Sequence, residues 1–569
     1  MDRAVVAGRA PAEIVASGAH AAAAALDVQP AALASLPSPD GIDVEGSVDA
    51  ADLGWIHEHA LDAEHRHREG VHYTPAPVAR RLAELTIGAD RAATVCDPAV
   101  GGGAFLLAAA EHLLTLGVGP GEIVSERLFG IDIDPVAAAV SRVALELWAA
   151  ARGVEATVPD GHVVCADTLQ AGATAFAGEG TFDVVLGNPP FQSQLGASTA
   201  RSASTSAALR ERWSVDAGPY ADTAAWFVLA GLEMVAPGGV VAFVEPQSLL
   251  VAADAAPIRD FASSVADLEG LWWGGRDVFA ADVAVCAPFL RRRGPIDAVD
   301  PRPVARWEGP DVVPVESAPA ITGSSWGPLV ADLLGVPPVT PTTAGTVGDV
   351  ATATAGFRDE YYAVTSNLVD SMDGDGPRLV TVGMIDPLHD RWGGGSFRIA
   401  GERWQYPRVD MAALADEAPR IAAWVSDRLV PKVMVATQTK VVEVVVDEVG
   451  DMVPSTPVVA VHAPEDRLWH LAAVLVSSVV SAIAFARVAG AALSSQTIKL
   501  SAKQVLDLPL PPQGSDWDDA AAAARAAAVA QTTDERLGHL EALGRAMNLA
   551  YGVDDDTLLG WWLDRQPRR

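Results

Sequence analysis

The stretch VCDPAVGGGAFLL, residues 95–107, decides the fold. Apolar residues run up to Asp97-Pro98, then Gly101, Gly102 and Gly103 form a tight loop, and an apolar helical pattern begins. Glycine lets backbone N–H groups approach a ligand closely, and a helix N-terminus follows at once. Taken alone, a generic glycine-rich turn competes with a ligand-binding loop. The flanking sequence separates the two.

Around this stretch, short apolar runs alternate with helical patterns. ATVCDP (93–98), RLFGIDID (127–134), VVCAD (163–167), FDVVLGN (182–188) and GGVVAFVEP (238–246) read as strands. AFLLAAAEHLLTLG (104–117) and PVAAAVSRVALELWAAARG (135–153) read as helices. Such alternation implies an α/β fold with a parallel sheet and helices on both faces. Ligands then bind at the carboxyl ends of the strands.

Three of those strand ends carry polar side chains. In FGIDIDP (129–135), Asp132 lies at the distance from the glycine loop where dinucleotide-type folds place an acid on ribose hydroxyls. Asp134, ahead of Pro135, more naturally caps the next helix. In VVCADTL (163–169), Asp167 can accept from the amino group of a bound base, or serve as a turn residue. In FDVVLGNPPFQ (182–192), a strand runs into Asn188-Pro189-Pro190-Phe191. Proline cannot continue a central strand, so the chain leaves the sheet there in a stiff shape. It carries one amide and one flat apolar face, which suits a planar, polar-edged ligand. GVHYTPAPVARRL (70–82) adds a Gly-aromatic-Thr-Pro turn into a helix.

The 569 residues exceed one core and call for two or three domains. No run of 18 uninterrupted apolar residues argues for a transmembrane span, and the N-terminus shows no long apolar stretch of a signal peptide. Cys96, Cys165 and Cys286 are widely spaced and odd in number, so neither zinc spacing nor a disulfide framework follows. A cytoplasmic protein without metal is the expectation. Net charge is −33, which opposes nucleic-acid binding in bulk, since phosphate contacts need Lys and Arg. Yet Lys432, Lys440, Lys499 and Lys503, all the lysines of the chain, fall in one C-terminal stretch. A DNA-facing patch and a compositional bias toward Arg explain that equally.

The expected organisation is a helical extension over 1–52, a catalytic domain over 53–294 and a Pro/Gly/Thr-rich linker over 295–347. A second domain of mixed α/β character follows over 348–512, and an Ala-rich helical tail over 513–569. LWHLAAVLVSSVVSAIAFARVAG (468–490) reads as one long helix.

The ordered set GVHYTP, DPAVGGGAFL, GIDIDP, CADTL and NPPF resembles the motif series of adenine-N6 DNA methyltransferases. Only about 90 residues part Asp97 from Asn188, and the large extra region comes afterwards, so the order resembles the gamma class. The resemblance covers 53–294 and continues more weakly at ATAGFRDEYYAV, PKVMVATQT and LSSQTIKLSAKQVLDLPLPP. It implies a Rossmann-like methyltransferase sheet using S-adenosyl-L-methionine, followed by a target-recognition domain. Asp97, Pro98, Ala99, Gly101 and Gly103 would shape the loop around the cofactor's amino-acid part. Asp132 would hold its ribose and Asp167 its adenine amino group, with Ile133 packing beside the ring. His72, Tyr73, Thr74 and Pro75 would cover its methionine portion. The family commonly has Ser or Thr where this chain has Gly102. That removes a side-chain contact and keeps the loop pliable.

The resemblance also implies that Asn188 and Pro189 accept from the target amino group, with Pro190 stiffening the turn and Phe191 stacking on the base. The partner would be double-stranded DNA with its adenine flipped out, within restriction-modification or phage defence. Lys432, Lys440, Lys499 and Lys503 would face that DNA. Enzymes acting on RNA guanine N2 or protein glutamine share Asn-Pro-Pro motifs and are the alternative. The nuclease pattern of Asp or Glu, any residue, Lys is missing: Val430, Gln438, Thr497 and Ser501 stand two before the lysines. A separate restriction endonuclease stays open as a partner.

Overall fold

The computed structural model describes residues 9–38, 44, 47–61, 74–176, 181–192, 194, 201–276, 278, 283–294, 302–321, 325–356, 358–488 and 497–567. The chain divides into two units, 1–329 and 330–569.

The first unit is built on one mixed ten-stranded sheet. Its centre is parallel: β1 (Val95–Asp97), β2 (Leu128–Asp132), β3 (Val163–Cys165), β4 (Phe182–Gly187) and β5 (Val235–Phe243) stand in the order 3-2-1-4-5. β1 is wholly buried and β4 is buried except for half-buried Asp183, as central strands covered on both faces are. Beyond β5 the sheet becomes mixed. β8 (Val285–Arg292) runs against β5, and both β6 (Glu245–Pro246), which continues in β5's direction, and β7 (Ala266–Gly275) pair antiparallel with β8. The expected parallel sheet forms the five-stranded centre, and β8 is the reversal that the strand–helix pattern does not predict.

The expected linker also changes. β9 (Val304–Glu308) and β10 (Val313–Ala318) extend the same sheet past β7, so the stretch 295–347 is not connecting chain throughout. Trp307 packs on Phe289 of β8, which gives this edge an apolar seam.

Helices α1 (Pro11–Leu26), α2 (Asp52–Ala60), α3 (Ala76–Ile87), α4 (Ala104–Thr115), α5 (Pro135–Ala150), α6 (Ala203–Trp213), α7 (Thr223–Met234) and α8 (Ala256–Val265) flank the sheet. α5 begins at Asp134, whose carboxylate accepts the Val136 N–H at 2.8 Å, a side-chain cap placed where the sequence puts one. α4 begins at Gly103 with φ +87°, a left-handed value that favours glycine.

The second unit contains a four-stranded antiparallel sheet in the order Thr352–Ala355, Val459–His462, Lys432–Ala436, Glu443–Asp447. A further four-stranded sheet and several two-stranded ribbons accompany it. The pattern 468–490 is two helices, Leu468–Val476 and Ser478–Val488, bent by 59°. Ser477 makes the break: its hydroxyl donates to Val474 O at 2.7 Å and accepts the Val480 N–H at 3.2 Å. It ends one helix and caps the next. Among the described residues, no single helix is long and apolar enough to cross a membrane.

Candidate active site

Strand order reverses between β1 and β4, and a sheet opens a crevice at such a point. β1 and β4 pair through Val95 with Val184 and Cys96 with Val185. Asp97 and Gly187 thus end neighbouring strands. A Cβ on Gly187 would overlap Asp97 Oδ1 and stand 3.0 Å from Cγ. Glycine there lets the Asp97 carboxyl lie against the strand that delivers Asn188.

Asp97 is 1% exposed. Its Oδ1 accepts the Ala99 N–H at 3.0 Å. Burial pushes its carboxyl up to about 8, against the Ala99 N–H and aided by the charge of Asp132. The sign of the consequence is fixed by linkage. The folded chain keeps this proton from the ordinary carboxylate range up to about pH 8, while the unfolded chain releases it. The contribution to stability is therefore present at low pH and is lost as pH rises through 8. Without ligand, the wild-type melting temperature should fall between pH 5 and 8 relative to that of Asp97→Asn. The slope reaches at most about 1.4 kcal/mol per pH unit. Parallel melting curves for the two proteins across that range would refute it.

The glycine loop is tied to the second strand. Gly101 N–H donates to Asp132 Oδ2 at 2.8 Å, and Asp134 N–H donates to Asp132 Oδ1 at 2.9 Å. Ser141 donates to Gly101 O at 2.8 Å, and Val100 N–H to Ile131 O at 2.9 Å. Asp132 so serves the loop's own backbone, and burial still raises its carboxyl. Each oxygen keeps a further lone pair for a ligand. Asp167 caps the helical turn Thr168–Ala171 by accepting the Leu169 N–H at 3.0 Å. Thr168 donates to Pro98 O at 2.5 Å and joins this turn to the loop.

These groups open on one cavity of about 1090 Å³. Thr74, Asp97, Pro98, Ala99 and Gly101 line it. So do Asp132, Ile133, Asp167, Asn188 and Pro190. Ile133 is 70% exposed, an apolar side chain bare at the cavity wall. Gly103 faces Ser141 instead, Pro75 precedes α3, Pro189 is buried, and Phe191 is half-buried against the core. None of these four is among the lining residues. His72 and Tyr73 lie outside the described residues. Acceptors at three strand ends, a loop with left-handed Gly101 (φ +52°) and a bare apolar wall fit a nucleoside carrying an amino-acid tail. Among the described residues, no group of three or more His, Cys, Asp or Glu could hold a metal ion.

Sequence reasoning missed one wall. The extension expected over 1–52 carried no chemistry, yet Pro11, Leu26 and Asp49 line the cavity, as do Gly54, His57 and Glu58 of α2. His57 Nε2 stands 3.3 Å from Asp134 Oδ2 and is 6% exposed as a residue. Gly102 is explained by the same wall. A Cβ there would overlap Gly54 Cα and stand 3.1 Å from Gly54 N. The family's Ser or Thr does not fit, because α2 runs backbone to backbone over the loop. The available signal was Gly54, a glycine inside a helical pattern, which costs about 1 kcal/mol unless packing requires it. Gly102→Ser should destabilise the first unit by about 1–3 kcal/mol through overpacking. An unchanged melting temperature would show that α2 yields freely.

The four lysines divide. Lys432 is fully buried and ion-paired with Asp447 at 2.6 Å, so it cannot face DNA as expected. Lys440, Lys499 and Lys503 are exposed. Lys499 sits on a two-stranded ribbon, opposite Gln438, with Lys440 just past its end. Lys503 follows in the helix Ala502–Leu506.

Residues 49–261 match the family model of N-6 DNA Methylase. Type II methyltransferase M.VspI of Vibrio sp. (strain 343) is 28% identical over 192 residues. That match takes in 34% of this chain and 40% of M.VspI, so the chain spans about two fifths of that relative's length. Among solved structures, the Type IIL restriction-modification enzyme MmeI in complex with DNA aligns over 91% of this chain and 81% of its own, with 14% identity and a TM-score of 0.56. That likeness is one of fold. The match to the N-6 DNA Methylase family over residues 49–261 spans the glycine loop, the three acidic strand ends and Asn188-Pro-Pro-Phe.

Proposed function

We propose that the chain transfers a methyl group from S-adenosyl-L-methionine to N6 of an adenine flipped out of duplex DNA, as a modification enzyme of restriction-modification or phage defence. The observation that carries this reading is the single cavity that collects Asp97, Asp132, Asp167 and Asn188. Asp132 and Ile133 would hold the nucleoside part of the cofactor, and the 97–103 loop its amino-acid part. The cofactor, when bound, supplies a methyl group on a sulfonium.

The chain's own residues act on the target. The amino nitrogen of adenine is a poor nucleophile because its lone pair is conjugated into the ring. Asn188 Oδ1 and the Pro189 carbonyl accept from its N–H groups and draw the nitrogen toward a tetrahedral shape. Two prolines hold both acceptors in place before the base arrives. Positioning supplies much of the barrier reduction, and no strong base is needed.

Incubation with unmethylated plasmid and labelled cofactor, then digestion to nucleosides, should yield N6-methyladenine. Label recovered in protein glutamine or RNA guanine instead would establish the alternative. Lys440, Lys499 and Lys503 are the proposed phosphate contacts of the second unit. Lys499→Glu with Lys503→Glu should weaken DNA binding and lower the salt slope by about 0.9 per lost contact. An unchanged slope would remove these residues from the interface.

A further inference from the structure

Pro189 and Pro190 have no N–H, so the segment that carries Asn188 must be tied down further along the chain. Gln192 N–H donates to Asp222 Oδ1 at 3.0 Å, and the same oxygen accepts the Ala224 N–H at 3.0 Å and caps α7. Gln192 O accepts from Gln194 Nε2 at 2.6 Å. Arg201 closes the arrangement from the other side. Its N–H donates to Gln194 Oε1 at 2.6 Å, Nη1 to Thr223 Oγ1 at 2.7 Å and Nη2 to Ala221 O at 2.7 Å. Gln194 and Thr223 are 7% and 5% exposed. Gln192, Arg201 and Thr223 line the cavity together with Asn188 and Pro190.

We propose that Arg201 and Asp222 are positioning residues, a clamp that fastens the end of Asn188-Pro-Pro-Phe-Gln192 to the start of α7 and so fixes the Asn188 side chain at the cavity wall and the Pro189 carbonyl behind it. The charges are complementary: Asp222 carries the negative charge that Arg201 answers. Glu245, fully buried nearby, is pushed well above the carboxylate range by burial and by Asp222. The proposal deepens the methyl-transfer reading and rests on it for its kinetic part.

The test uses the full chain as wild type, Arg201→Ala, Asp222→Ala, Asp222→Asn and the double alanine variant. Misplacing the acceptors by about 1 Å should lower kcat by roughly 100-fold in either alanine variant. Affinity for S-adenosylhomocysteine should stay within about threefold, since the clamp does not touch the cofactor loop. Asp222→Asn keeps an acceptor for Gln192 and should recover most of the rate. The double variant should be no worse than a single one, because both residues serve one unit. Hydrogen exchange at the Gln192 amide, read without any ligand, should quicken at least about tenfold in the alanine variants. Thr223→Val removes only the hydroxyl that Arg201 donates to, and serves if an alanine variant does not fold. Unchanged kcat with unchanged Gln192 exchange overturns the clamp, as does an affinity loss parallel to the rate loss. Wild-type protein that methylates no DNA overturns the functional reading instead, and the exchange measurement then decides the clamp by itself.

Discussion

Asn188→Ala is expected to lower methyl transfer on the order of 10²–10³-fold while leaving cofactor affinity nearly unchanged. The magnitude follows from what is removed. Asn188 stands at the carboxyl end of β4, at the switch point, with its backbone stiffened by two prolines. Its side-chain oxygen would act on hydrogen bonds that strengthen as the adenine nitrogen becomes tetrahedral. An interaction made mainly in the transition state lowers kcat when lost and leaves ground-state binding intact. Asn188→Asp keeps an acceptor but sets a second acid near buried Asp97, so it should retain more rate than alanine and lose some of it as pH rises. Single-turnover rates with prebound cofactor separate these effects. A rate for Asn188→Ala within threefold of wild type would end the role assigned to Asn188.

Local patterns were legible where the chain makes its own structure. The five parallel strands, the glycine loop and the polar strand ends follow from runs of a few residues, and the cavity gathers them. Contacts between distant segments were not legible. The approach of Gly54 to Gly102 joins chain 48 residues apart, and nothing at Gly102 announces it. β8 follows β7 with no helix among the described residues between them and runs against it, so the strand–helix alternation could not reach this reversal. The long helix over 468–490 was misread because apolar periodicity does not report a serine hydroxyl that caps as well as it fits.

Lys432 is the sharpest case, and it carries the largest expected effect on stability. Lysine is almost never fully buried unless paired, so exposure was the sound expectation from sequence. The pairing comes from strand register: Lys432 and Asp447 are cross-strand partners. Asp447 is itself 2% exposed and already engaged with the chain turn that follows it. Its Oδ1 accepts the Gly450 N–H at 2.8 Å and the Asp451 N–H at 3.2 Å, and its Oδ2 accepts the Met452 N–H at 3.0 Å. Lys432 Nζ completes the shell at 2.6 Å and donates to Val430 O at 3.1 Å. Burial lowers the lysine's affinity for its proton, and Asp447 opposes that change. Lys432→Ala would strand a buried carboxylate and should cost about 3–5 kcal/mol. The urea midpoint of the second unit should fall with its slope unchanged. The double variant Lys432→Met, Asp447→Asn removes both charges and leaves an acceptor for the turn. It should recover most of the loss, since replacing a buried pair by neutral groups of similar volume is often tolerated. If Lys432→Ala instead melts like wild type and weakens DNA binding, the lysine belongs to the DNA face after all, and its burial is relieved when DNA is bound.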